Sequence, residues 1–441
     1  MSFNELTLAN LAAPQKNAIV GGPFGSNLVS KDYVDYGIPV IRGANMGEKW
    51  VGGDFVYVSR EKSIQLSQNI AKPGDLVFTQ RGTLGQVSIV PKHKHDCYVV
   101  SQSQMKLTVD PLKADVDFLY YLFKSPEQLE YIRNAAIQTG VPHTNLGILK
   151  KTPIKIPALL VQQQAAFILS ALDDRITLLR ETNTTLEAIA QALFKSWFVD
   201  FDPVRAKQEG RVPEGMDAAT AALFPDSFEE SELGLLPRGW SFGTLADLAE
   251  LNPESWTTKV HPKTVLYIDL ANTKNNEIDV TTEYVFDEAP SRARRVLRTG
   301  DSIIGTVRPG NRSFAYIYRA ARNLTGSTGF AVLRPKVIKN AEFIFIAATQ
   351  NSSIDYLAHI ADGGAYPAVR PEVVANIELT VPHEEVIAAF HDIVAPLSSM
   401  IGENQLTIQT LVTLRDTLLP RLISGQLRLP EAEAMLEDLA A

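Results

Sequence analysis

Two hydrophobic periods alternate along this chain. From residue 1 to 157, short β-branched and aromatic runs such as Ile38-Pro39-Val40-Ile41, Asp54-Phe55-Val56-Tyr57-Val58, Asp75-Leu76-Val77-Phe78-Thr79 and Gln86-Val87-Ser88-Ile89-Val90 are separated by Gly, Pro and Asn. They predict strands and turns, followed by a helical stretch from Val116 to Ala136. From Gln162 to about Trp197 the period changes. Leu172, Ile176, Leu179, Asn183, Leu186, Ala190, Leu193 and Trp197 fall four and three apart, the seam of a coiled coil. The plan then recurs, with strands to about Val381 followed by Leu397, Ile401, Asn404, Ile408, Leu411, Arg415 and Leu418 at the same spacing.

The recurrence extends to residue level. Shifted by about 226 positions, Lys72-Pro73-Gly74-Asp75-Leu76-Val77 falls on Arg298-Thr299-Gly300-Asp301-Ser302-Ile303, and Leu107 falls on Leu333. After a one-residue slip, Pro142 meets Pro367 and Ile156-Pro157 meets Val381-Pro382. Two copies of one unit predict two similar sites related by an approximate twofold axis, which suits a long two-part ligand. The expected organisation is a strand-rich domain at 1–157, a helix at 158–200, a linker at 201–231, a second domain at 232–382, a helix at 383–425 and a tail at 426–441. The linker is rich in Pro, Gly and acid, with little core of its own expected. Pro396 should kink the second helix or delay its start. The fold class is therefore α+β: two pseudo-twofold-related strand-rich domains, each followed by a long helix, the helices pairing as an antiparallel coiled coil.

Composition narrows the function classes. With 441 residues, 45% of them hydrophobic, and a mean hydropathy of −0.02, the chain reads as globular. It has no apolar run expected to span a bilayer and no visible secretory leader at Met1-Ser2-Phe3-Asn4-Glu5. Cys97 is the only cysteine, which excludes an intrachain disulfide or cysteine zinc cluster and points to a reducing cytoplasm. No Gly-Lys-Ser or Gly-Lys-Thr phosphate loop occurs, since Gly21-Gly22-Pro23-Phe24-Gly25-Ser26 lacks the lysine. Asn252-Pro253-Glu254-Ser255 is a poor match to the Asn-Pro-Pro-aromatic run of an amino-methyltransferase. His93 and His95 beside Asp96 read as a solvated loop rather than a metal site, and no serine, histidine and acid set repeats. Neither catalysis nor a cofactor is expected.

The net charge of −8 argues mildly against nucleic acid, but its distribution does not. Between Ser291 and Thr325 lie Arg292, Arg294, Arg295, Arg298, Arg308, Arg312, Arg319 and Arg322 with one acid, Asp301, and with Phe314, Tyr316 and Tyr318 interleaved. The first copy has Lys72, Gln80, Arg81, Lys92, His93, Lys94, Ser101, Gln102, Ser103 and Gln104 in the same region. Basic side chains neutralise phosphates, while Arg on guanine and Gln or Asn on adenine read bases. A merely solvated face is the alternative.

Several motifs carry a family resemblance. Gly22-Pro23-Phe24-Gly25-Ser26, Gly37-Ile38-Pro39-Val40-Ile41-Arg42-Gly43, Leu193-Phe194-Lys195-Ser196-Trp197-Phe198-Val199-Asp200-Phe201-Asp202-Pro203, Leu233-Gly234-Leu235-Leu236-Pro237-Arg238-Gly239-Trp240 and Leu419-Pro420-Arg421-Leu422-Ile423-Ser424-Gly425 lie within the double repeat. Together they resemble the DNA-specificity subunit of type I restriction-modification enzymes. The resemblance implies two target recognition domains, each reading one half of a split site in double-stranded DNA, with helices that set the unread spacer and dock the methyltransferase subunits. It also implies two methyltransferase and two restriction subunits as partners, a cytoplasmic location with no membrane, and chemistry confined to those partner chains. A structural adaptor that does not itself read DNA is the rival reading.

The candidate DNA contacts are Arg42, Gln80, Arg81, Lys92, Ser101 and Gln102 in the first copy. In the second they are Arg292, Arg294, Arg295, Arg308, Arg312, Ser327, Thr328 and Arg370, with Gln80 and Arg81 as the expected counterparts of Arg308. For the helices, the antiparallel register that faces Asn183 with Asn404 makes the neighbouring layers apolar, among them Leu186 with Ile401 and Ile176 with Leu411. Roughly 30 helical residues at 1.5 Å each would make a rod of about 45 Å, one to one and a half turns of DNA.

Overall fold

The computed structural model describes residues 3–138, 142–231, 234–364 and 366–427; most of the expected tail lies outside them. The chain divides into two compact units, Met1–Thr177 with Ile408–Ala441, and Leu178–Thr407. Each unit holds a strand-rich domain and a segment of both long helices, Leu159–Phe198 and Glu384–Ile423. A helical stripe cannot bury itself, so each domain is completed by both helices rather than only by the one that follows it in sequence.

In the first unit, the strands Ile19–Gly21, Gln104–Leu107, Leu76–Thr79 and Val87–Ile89 form a four-stranded antiparallel sheet in that order. A five-stranded sheet contains one parallel pair, Ile38–Ile41 with Tyr98–Val100. The core of the four-stranded sheet, including Leu76, Phe78, Ile89 and Leu107, packs with Phe118, Leu119 and Phe123 of the helix Val116–Lys124. That helix starts where Asp115 caps the Phe118 amide at 2.9 Å. Leu169 and Leu172 of the first long helix and Leu414, Leu418 and Leu422 of the second close the same core. Polar contacts lock the domain on: Lys49 meets Asp117 at 2.8 Å and Ser170 at 2.7 Å, while Asp173 accepts from Tyr121 at 2.7 Å and pairs with Arg415 at 2.8 Å.

The second unit repeats the four-stranded antiparallel sheet in the same order and has a four-stranded mixed sheet where the first has five strands. Ala249–Leu251, Phe330–Pro335, Ser302–Gly305 and Phe314–Tyr316 form the four-stranded sheet, and Thr264–Ile268 pairs in parallel with Leu324–Ser327 in another. The most sharply repeated motif is a turn. Gly74 (φ 87°) and Gly300 (φ 88°) take the left-handed conformation, and Asp75 and Asp301 accept from the backbone N–H of Lys72 and Arg298 at 2.9 and 2.7 Å. Each domain is also closed by a two-stranded ribbon joining its ends: Asn4 faces Ile156 in one, and Ser241 faces Val381 in the other.

In this unit Asn404 Nδ2 donates to Asn183 Oδ1 at 2.8 Å, and Phe390 packs on Phe194 and Phe198 with ring centroids 6.0 and 5.2 Å apart. The two helical segments are therefore antiparallel there.

Three expectations are corrected. The second long helix does not start late at Pro396 but runs from Glu384 to Ile423 with Pro396 inside it, where Pro396 and Asp392 are both exposed. Residues 201–231 are more than a linker. They form the helices Asp202–Gln208 and Ala218–Ala222, and they bury Val204 and Phe224 in a core with Trp197, Phe198 and Trp240. Finally, the second long helix is long and apolar enough by length and composition to cross a membrane. Its stripe instead meets the other long helix in each unit, with Asn404 and Arg415 among the contacts.

Candidate nucleic-acid interface

The basic side chains of the second unit sort by what they touch. Strands Ser302–Gly305 and Phe314–Tyr316 are joined through the turn Pro309–Asn311, flanked by Arg308 (φ 48°) and Arg312 (φ 59°), both left-handed. The Arg312 guanidinium donates to Asn275 Oδ1 at 2.9 Å and Asn351 Oδ1 at 3.0 Å and lies 5.3 Å from the Phe314 ring centre. It braces the turn. Lys274, Asn275, Asn311 and Arg312 line a cleft of about 590 Å³ beside it. Arg308 is exposed, with its guanidinium 4.6 Å from the ring centre of Tyr366. Arg370 is also exposed and directly follows Val369, whose N–H donates to the Thr306 carbonyl at 2.9 Å, so it shares this end of the sheet.

Arg292 and Thr328 form a second exposed pair, the Thr328 N–H donating to the Arg292 carbonyl at 2.8 Å. Arg294, on the strand Ala293–Val296, lies over the Phe286 ring at 4.7 Å, and Arg295 donates to Ser255 at 3.3 Å. Burial lowers the pKa of Arg295. Ser327 is wholly buried and accepts from the Gly329 N–H at 3.2 Å, so its hydroxyl holds a strand end and is not on a face. Arg298, part of the sequence island, is taken up by Glu254 at 2.8 Å.

In the first unit, Arg81 is exposed in a bridge with His143, and Gln80 N–H donates to Ser103 at 2.7 Å. The bridge equivalent to Arg81–His143 is Val307–Ala368, which places Gly82, not Arg81, opposite Arg308. The expected counterparts are one residue off because a register is set by hydrogen bonds, not by chemical likeness. Gln102 donates to the carbonyls of Gly25 and, at 3.0 Å, Leu28, clamping the turn that presents Phe24. Ser101 is buried against Gln104. Lys92 is exposed on a loop whose His95 packs edge-on against Tyr98 at 5.4 Å. Arg42 is half-buried, its Nε without a hydrogen-bond partner. Sequence reasoning passed over Tyr366, although Gly363-Gly364-Ala365-Tyr366-Pro367 carries a strong turn signal.

The second domain is keyed to its helical segments by uncharged donors. Asn276 donates to Glu187 at 2.5 Å and to the Tyr318 hydroxyl at 2.6 Å, and Gln405 donates to the Asn276 carbonyl at 3.0 Å. Burial pushes the Glu187 carboxyl up to about 6. A raised carboxyl favours the folded state most below its unfolded value of 4.5, and that advantage is lost as pH rises through 6. Glu187→Gln keeps the acceptor without the charge. It should therefore stabilise the second unit by about 2 kcal/mol at pH 7.5 and hardly at all at pH 4.5, read from urea midpoints at the two pH values. An equal effect at both would refute the assignment.

Comparison with known proteins places this geometry. Residues 26–188 match the family model described as the Type I restriction modification DNA specificity domain. The chain resembles type I specificity subunits along nearly its whole length. It is 25% identical to the Type I restriction enzyme MjaIX specificity subunit of Methanocaldococcus jannaschii over 94% of this chain and 92% of that protein. It is 28% identical to the Type I restriction enzyme HindI specificity subunit of Haemophilus influenzae over 81% of this chain and 87% of that one. Its fold matches the S subunit of a Type-I restriction-modification system from M. genitalium with a TM-score of 0.54 at 15% identity, covering 96% of each chain.

Proposed function

We propose that this chain is the noncatalytic DNA-recognition subunit of a type I restriction-modification complex. The observation that carries the reading is similarity to specificity subunits over 94% of the chain. The two strand-rich domains support it, sharing the order of their four-stranded sheet and each closed by its own ribbon. In this reading, the domain at 1–157 reads one half of a split duplex site and the domain at 232–382 reads the other. The helices set the unread gap and dock two methyltransferase subunits, two restriction subunits complete the assembly, and the complex works in the cytoplasm. Exposed Arg81, Lys92, Arg292, Arg308 and Arg370 face DNA, with Arg312 bracing the turn that carries Arg308.

The test is selection from a pool of randomised duplexes by the full-length chain, alone and with its methyltransferase chain, at several salt concentrations. The expected product is two short fixed blocks separated by an unread gap of constant length. Affinity should fall linearly on a log–log plot against salt, with a slope of about −0.9 per neutralised phosphate. One continuous block would overturn the split-site reading, and no enrichment at any salt would favour a structural adaptor.

A further inference from the structure

The tip of the loop between Asp362 and Ala368 presents an aromatic ring outward at the end of the sheet that carries Arg308. Its two ends pair with each other, Asp362 N–H to the Ala368 carbonyl at 3.1 Å and the reverse at 2.7 Å. The Arg308 N–H donates to the Pro367 carbonyl at 2.7 Å, and the Tyr366 N–H donates to the Gly363 carbonyl at 2.9 Å. Gly363 sits at φ 122°, and a Cβ there would lie 2.9 Å from the Tyr366 carbonyl oxygen, so this position favours glycine. The Tyr366 ring is 70% exposed and lies under the Arg308 guanidinium. A ring left in water adds nothing to the core, whereas it restricts the arginine that stacks on it.

Arg308 itself holds a backbone conformation that L side chains rarely adopt. The corresponding position of the first unit is Gly82 at φ 101°, where no strain arises. The first unit's matching loop, Ile137 to His143, carries no Phe, Tyr or Trp. Arginine and ring are thus present together in one copy and absent together from the other.

We infer that Tyr366 is a positioning residue for base reading: its ring fixes the Arg308 guanidinium as a flat fork aimed at the edge of one guanine in the second half-site. A guanidinium pairs with guanine O6 and N7 only when its plane lies close to that of the base. A ring face under the fork removes the rotamers that would miss it. Less order is then left to be gained on binding. The inference rests on the DNA-reading function proposed above.

The experiment is duplex-pool selection by the full chain and by the variants Tyr366→Ala, Tyr366→Phe and Arg308→Gly, with urea unfolding of each. Arg308→Gly should keep or raise the urea midpoint, because glycine relieves the backbone, yet lose between about five- and 150-fold of discrimination at one base pair. Tyr366→Ala should lose discrimination at that same position and nowhere else, and Tyr366→Phe, which keeps the ring face, should restore it. Unchanged base preferences in Arg308→Gly and Tyr366→Ala, while the unmodified chain still selects a sequence, would overturn the inference alone. Equal losses in the Phe and Ala variants would overturn the role of the ring. A chain that selects no sequence would overturn the function itself, and the inference with it.

Discussion

Replacing Arg334 by leucine is expected to destabilise the second unit by about 3–5 kcal/mol, the cost of breaking a buried ion pair by removing one partner. Asp301 is wholly buried beneath the Arg298-Thr299-Gly300 turn, and the Arg334 fork meets both its oxygens at 2.9 Å. Burial already raises the pKa of Asp301, with Arg334 opposing that shift. Without the fork, a carboxylate in the core keeps only the Arg298 N–H and must either bind a proton or drag the turn into water. Three of the four tryptophans, Trp197, Trp240 and Trp256, belong to this unit, so tryptophan fluorescence in urea follows it. Arg298→Ala is the control. Its side chain is 41% exposed and pairs with a half-exposed Glu254, so its loss should cost under about 1 kcal/mol. If the two variants shifted the urea midpoint alike, burial would not be what makes the Asp301 pair matter.

The second large effect is on specificity. Exchanging residues 241–381 for the same segment of a relative should replace one half of the selected DNA sequence and leave the other half and the gap unchanged. The structural reason is the ribbon that joins Ser241 to Val381: the cassette leaves the chain where it entered, so a relative whose cassette keeps the side chains that pack on the helices can be exchanged without moving the chain ends. Within it, Ile303, Phe330 and Val332 belong to one buried cluster and Leu333, Phe343 and Leu357 to another. Methylation mapping of a genome carrying the chimaera reads the outcome. A change in both halves would show that the domains do not read independently.

The repeat and both helices were legible because their signals are local. The 226-residue shift lands on the Gly–Asp turn, whose left-handed glycine and backbone-capping aspartate are each demanded by four residues of backbone. A stripe at heptad spacing likewise announces its helix whatever it packs against.

The basic surface was only partly legible. Counting arginines between Ser291 and Thr325 found a real concentration of charge, but not which members are free to meet a ligand. Arg298 is claimed by Glu254, which lies 44 residues away in sequence, and Arg312 by Asn275 and Asn351. Gln102 is claimed by a turn 74 residues before it. Those partners come from distant strands and loops, so no window on the sequence contains both sides of the bond.

Pro396 and Arg308 mark the same boundary from opposite sides. A proline rule predicts a kink or a late start, and only the folded chain shows helical residues on both sides of Pro396. An arginine gives no sign of a positive φ, because its side chain does not favour one. What holds Arg308 there is the pairing of its backbone with the loop at Pro367. The sequence by itself determined the strand-rich domains and the two long helices, their repetition and the spacing of the helical seam, since each follows from neighbours in the chain. Which charges stand free, which serines are buried and where an arginine is bent against a tyrosine were decided by the tertiary structure alone, since each depends on groups that only folding brings together.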